Sequence, residues 1–174
     1  MKKGFTLLEV LIVVVIAVSV AVFAVPAYKK TQDKNRYLAA QGVLMDLGNG
    51  LRTLQSEGYA FPSSAQQVTY SNMNGTLAAD AVISSSNYQR ALVARKYMSP
   101  IPFDNTSTSI YKGYKFYACP VNTASSSNCC NKNAGVVACM EDSTLQTVAN
   151  SPTAGQYYRA TFLRSGSIKR IPKN

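Results

Sequence analysis

The sequence predicts an α+β fold, in which one long N-terminal α-helix is laid on a small antiparallel β-sheet. Three observations predict it. The run from Phe5 to Ala27 is apolar except for Thr6, Glu9 and Ser19. Beyond it, Tyr37, Ala40, Leu44, Leu47, Leu51 and Leu54 recur at alternating three- and four-residue spacing, which marks one face of a helix. The C-terminal third holds short segments rich in tyrosine, phenylalanine and valine, separated by turn residues, which is the pattern of successive strands.

The apolar run is 23 residues long. As a helix it spans roughly 34 Å, enough to cross the hydrocarbon core of a bilayer. Lys2 and Lys3 precede it, and positive charge favours the cytoplasmic side, so the rest of the chain is expected to face outward. A cleaved secretory signal fits poorly, because the run is too long and Ala21-Val22-Phe23 and Ala24-Val25-Pro26 do not place small residues where such a site needs them. A plain anchor leaves Glu9 unexplained. An acid at a bilayer centre costs about 2.5–3.5 kcal/mol, less near a helix end, and such a residue asks for a partner.

Gly4-Phe5-Thr6-Leu7-Leu8-Glu9, then an apolar run with Pro26-Ala27-Tyr28 near its end, resembles the class-a signature of the type IV pilin family. The resemblance is specific over about Lys2–Arg36 and holds only in outline beyond. It implies that a prepilin peptidase cuts after Gly4 and methylates the new amine of Phe5. It further implies that Glu9, five residues into the mature chain, neutralises the terminal amine of a neighbouring subunit. The family's proline lies 22 residues from the new terminus, which Phe5 to Pro26 reproduces. One position departs: the glycine that many members carry 14 residues into the mature chain is Val18 here. Any loosening of the helix therefore falls to Ser19 and Pro26, and a proline alone can kink a helix.

The helix is expected to run from Phe5 to about Gln55 and to stop at Gly58 and Pro62. Gly48 and Gly50 each weaken a helix by up to about 1 kcal/mol, so fraying or close packing is expected there. Residues 62–110 are rich in Ser, Asn, Thr and Ala, with a turn at Asn74-Gly75 and a short helix within Asn87–Met98. Tyr111–Cys119, Gly135–Met140, Gln156–Leu163 and, after a Ser165-Gly166 turn, Ser167–Ile171 are the strand candidates. They make a sheet of three or four strands against the helix stripe. The expected organisation is a leader (1–4), a membrane or filament-core helix (5–27), its amphipathic half (28–57), a connecting αβ loop (58–110) and a sheet with a disulfide-clamped loop (111–174).

The chain has 174 residues with 18 Lys+Arg, 8 Asp+Glu and no histidine, a formal charge of +10 that falls to +8 once Lys2 and Lys3 are removed. Without histidine there is no Ser–His or Cys–His pair and none of the commonest metal ligand. No acid pair or phosphate loop stands out either, so neither an enzyme, a cofactor nor a metal site is expected. Cys119, Cys129, Cys130 and Cys139 are the only cysteines. An even cluster without histidine and with few acids nearby reads as disulfides, which persist outside the cytoplasm, with a reactive or metal-binding site as the less favoured alternative. A bridge between the adjacent Cys129 and Cys130 is uncommon. That leaves Cys119–Cys129 with Cys130–Cys139, or Cys119–Cys130 with Cys129–Cys139, and spacing does not choose between them. Each bridge closes a loop of about ten residues and adds roughly 2–4 kcal/mol. Most of the 11 tyrosines are read as strand and core residues. Arg159, Arg164, Lys169, Arg170 and Lys173 make the C-terminus basic, a candidate contact for DNA backbone. A solvated edge strand guarded by its charges explains the same residues and is preferred.

The resemblance thus implies a structural filament subunit that self-associates helically, with prepilin peptidase, the pilus assembly machinery and the inner membrane as its earlier partners. A pseudopilin of a type II secretion system, or a minor pilin, is the alternative. Pseudopilins related to the major subunit commonly carry a calcium site near the C-terminus, and Glu141 with Asp142 is too small a set of hard ligands for one.

Overall fold

The structure, a computed structural model, describes residues 6–59, 62, 64–78, 80–101, 111, 113–120, 129–132, 135–142 and 157–172. Helix α1 runs Leu7–Ser56. After it come β1 (Gln66–Val68), α2 (Tyr70–Met73), α3 (Tyr88–Ala94), β2 (Tyr114–Ala118), a 3-10 turn (Cys129–Lys132), β3 (Val136–Asp142), β4 (Tyr157–Leu163) and β5 (Ile168–Pro172). The chain forms two compact units, Met1–Tyr37 and Leu38–Asn174, so the division falls later in α1 than the change from apolar to amphipathic pattern at residues 27 and 28.

In the first unit the helix continues through Pro26. Proline removes one backbone hydrogen bond, which a long helix tolerates. From Leu7 to Tyr28 the large apolar side chains are exposed, with Leu7 at 84% and Phe23 at 79%.

In the second unit the outcome is the reverse. Ala40, Leu44, Leu47, Leu51 and Leu54 are buried, as is Tyr37 at the end of the first unit, so all six stripe positions are buried. Each fully buried leucine contributes about 1.5–3 kcal/mol. The helix ends in a Schellman motif: the Tyr59 N–H bonds the Leu54 carbonyl at 3.2 Å, and the Gly58 N–H bonds that of Gln55 at 3.0 Å. Gly58 has φ +84°, the left-handed region that glycine adopts without strain. Gly48 allows close packing rather than fraying. A Cβ there would lie 2.2 Å from the Phe162 ring, so the missing side chain is what lets β4 approach the helix.

The sheet has five antiparallel strands in the order β1-β2-β3-β4-β5. The register places Phe116 opposite Met140 and Ala118 opposite Ala138. Across the next pair, Phe162 stands opposite Ala138 and Ala160 opposite Met140, with a bulge between Val136 and Ala138. These residues are buried on the face that meets Gly48. The strand count exceeds expectation because β1 was not foreseen; it pairs Val68 with Phe116.

Beside the helix, Met73, Tyr88, Ala91 and Leu92 extend the core. Burial pushes the Tyr88 phenol up to about 12, against a smaller lowering by its hydrogen bond from the Gln89 amide. Because the folded value is raised, the associated stability is complete below the unfolded value of 10.0 and drains as pH rises through about 12. It amounts to about 2–3 kcal/mol. The melting temperature should therefore fall more steeply in alkali for the wild type than for Tyr88→Phe; parallel curves would contradict this account of Tyr88.

Candidate functional site

Two places carry chemistry: the first turn of α1 and the cysteine cluster. At the helix start the Thr6 backbone N–H donates to Glu9 Oε2 at 2.9 Å, and the Thr6 hydroxyl donates to the same oxygen at 2.8 Å. In return the Glu9 N–H donates to Thr6 Oγ1 at 3.3 Å. This is a reciprocal capping box, spaced Thr-x-x-Glu, and the acid also suits the positive end of the helix dipole. Glu9 therefore caps its own first turn in the single chain. A carboxylate has about four acceptor positions, so these bonds leave it capacity for a further donor.

The other polar residue of the run is satisfied in the same way. The Ser19 hydroxyl donates to the Val15 carbonyl at 2.8 Å. Every polar side chain between Thr6 and Ala27 is thus bonded within its own helix, which is what an apolar surrounding demands. By length and composition α1 is able to cross a membrane, and none of its most apolar window is buried within the chain.

The geometry is that of an apolar rod with one acid at its tip. Residues 1–25 match the family model described as the prokaryotic N-terminal methylation motif. The N-terminus carries this methylation motif. It is the class-a prepilin-like signature of type IV pilins. Comparison with curated proteins and with solved structures returned no match. The methylation motif covers Gly4, Phe5 and Glu9. Gly4 and Phe5 lie outside the described residues, whereas Glu9 and Pro26 both stand in α1. The motif supports a pilin-like or pseudopilin chain processed by prepilin peptidase. The apolar helix fits anchoring in a membrane before assembly.

The cysteines form the second place. Cys119 is bridged to Cys130, and Cys129 to Cys139. Cys119 follows β2, where its N–H bonds the Val137 carbonyl at 2.9 Å, while Cys139 is central in β3 and the other two begin the 3-10 turn. All four are buried, in a cluster with Val136 against which Ala65, Tyr117 and Leu163 pack. The bridges therefore do more than tie an exposed loop. They cover the side of the sheet turned away from Gly48 and make a second small core. A sequence signal for this existed and was missed: Val136–Met140 is apolar at every position, the mark of a strand covered on both faces. In chain recovered from outside the cytoplasm, alkylation without reduction should label no cysteine; stoichiometric labelling of two or more would contradict the pairing.

Arg164, in the β4–β5 turn, and Lys169 are exposed. Arg159 stands opposite both Glu141 and Ile171 in register, and Arg170 opposite Ala160, with their side chains outside the described residues. Lys173 lies wholly outside them.

Proposed function

We propose that this chain is a structural subunit of a type IV pilus, cut after Gly4, methylated at Phe5, held in the inner membrane and then polymerised through its N-terminal helix. The methylation motif at the head of an apolar helix with an exposed surface is the observation that carries this reading. Burying that surface against lipid and then against neighbouring helices is strongly favourable, at about 25 cal/mol per Å² of apolar area. The folded second unit, clamped by two bridges, would form the outer surface of the filament.

Within the filament the carboxylate of Glu9 is expected to meet the amine created at Phe5 of an adjoining subunit. Mispairing would leave two buried ions, so the pair acts chiefly on axial register. A pseudopilus subunit remains the second reading, since the same motif serves both. Shearing intact cells separates them. This chain should be a component of long surface filaments in the sheared fraction; recovery only with the membrane, at native expression, would favour the pseudopilus and contradict the pilus assignment.

A further inference from the structure

We propose that the four cysteines, when reduced, form a tetrathiolate site for a soft or borderline divalent cation of the zinc class. Metal binding and disulfide formation are then alternative states of one cluster. This inference does not depend on the filament reading.

Sulfurs that are not bonded to each other already lie close together. Cys139 Sγ lies 3.6 Å from Cys119 Sγ and 3.6 Å from Cys130 Sγ. The sulfurs of Cys119, Cys130 and Cys139 all lie within 4.8 Å of one another, and Cys129 is the bridge partner of Cys139. A tetrahedral zinc site with metal–sulfur distances of about 2.3 Å places its sulfurs about 3.8 Å apart. The spacing of Cys139 to Cys119 and to Cys130 is already close to that, while Cys129, outside that group of three, would turn toward the others to complete the set. Once the bridges open, each bonded pair must separate from about 2 Å to about 3.8 Å, a shift of about 1 Å per sulfur.

The scaffold around the sulfurs is firm. Cys139 lies inside β3, which is paired on both sides, and Cys119 is fixed to β3 by its backbone hydrogen bond. Cys129 and Cys130 are adjacent on the 3-10 turn and belong to different bridges, so that turn would supply two ligands to one centre. The four residues are between 0% and 7% exposed, which keeps water and oxygen ligands away. An all-sulfur donor set selects zinc, cadmium or copper(I) over calcium or magnesium. The sequence reading of disulfides over a metal site concerns the oxidised chain, and an all-thiolate site needs neither histidine nor acids.

The exchange between the two states balances simply. A disulfide of a thiol oxidant accepts two electrons from two metal-bound thiolates and two protons from water. It becomes two thiols, the cysteines join as a bridge, and a second such event completes the release of the cation. Before oxidation the chain carries four thiols, and binding the cation releases their protons.

The test uses the full chain in detergent, reduced with a phosphine, freed of reductant without air and titrated with cobalt(II). One cobalt per chain is expected, with the strong visible absorption and sulfur-to-metal charge transfer of a tetrahedral thiolate site, both lost on adding zinc. Since the chain has no histidine, that signal reads the cysteine cluster alone. Cys119→Ser/Cys130→Ser should lose the tetrathiolate spectrum, and retention of it would overturn the assignment. Should the reduced chain unfold without metal, zinc should raise its melting temperature, because ligand binding and folding are linked. Overturning results are the pale absorption of six-coordinate cobalt, alkylation of all four thiols at the same rate with and without zinc, or an unmoved melting temperature.

Discussion

Subunits carrying Glu9→Ala should be cut after Gly4 and inserted in the membrane yet fail to build filaments. The proposed loss is large because the carboxylate would face a dry bundle of apolar helices, where an amine left without its partner costs several kcal/mol. The capping box offers a competing explanation, since alanine also abolishes the bonds from Thr6 to Glu9. Removing a cap costs only about 1 kcal/mol, and two further substitutions separate the roles. Glu9→Gln keeps an acceptor that can serve the Thr6 N–H but removes the charge. Thr6→Val removes the hydroxyl and keeps the charge. If charge pairing governs assembly, Glu9→Gln behaves like Glu9→Ala and Thr6→Val assembles. If capping governs it, Glu9→Gln assembles and Glu9→Ala does not. Normal filament numbers from Glu9→Ala alone would mean that the apolar surface suffices to set register.

At the contact of α1 with β4, Phe162→Ala should destabilise the second unit by about 3–5 kcal/mol, the usual cost of emptying a buried aromatic site. Phe162 is fully buried and its ring fills the space left by Gly48. Gly48→Ala should also destabilise, by about 1–3 kcal/mol from overpacking, although alanine is the better helix former by about 1 kcal/mol. Steric conflict wins because the new methyl would lie 2.2 Å from a ring that is itself enclosed. Gly42 is the control: nothing lies within 4 Å of its Cβ position, so Gly42→Ala should stabilise by up to about 1 kcal/mol. The double variant Gly48→Ala/Phe162→Ala should lose less than the two single losses together, since the cavity left by the ring accepts the methyl. Thermal unfolding in detergent reads all four, and a raised melting temperature for Gly48→Ala would contradict the packing described.

How much of this was legible in the sequence varies by element, and for physical reasons. The α1 stripe was readable because one buried face imposes a three-to-four spacing. Strands β2 to β5 were readable because short segments holding aromatic or branched residues lie between turn signals. Strand β1 was not: Gln66-Gln67-Val68 has no periodicity of its own and is a strand because β2 offers it an edge. The cysteine pairing was not readable either, because both surviving arrangements close loops of about the same length. What separates them is which of the adjacent Cys129 and Cys130 on the 3-10 turn meets Cys119 and which meets Cys139, a tertiary fact. At the N-terminus the acid by itself suggests a cap on its own first turn, where negative charge suits the helix dipole, and the structure adds the reciprocal bond with Thr6.

Whether the N-terminal methylation motif makes this chain a filament subunit, as proposed, is tested most directly by the mass of the subunit in sheared surface filaments. The account predicts an N-terminal peptide that begins at Phe5 and carries one methyl group on its amine. A filament subunit still beginning at Met1 would contradict it.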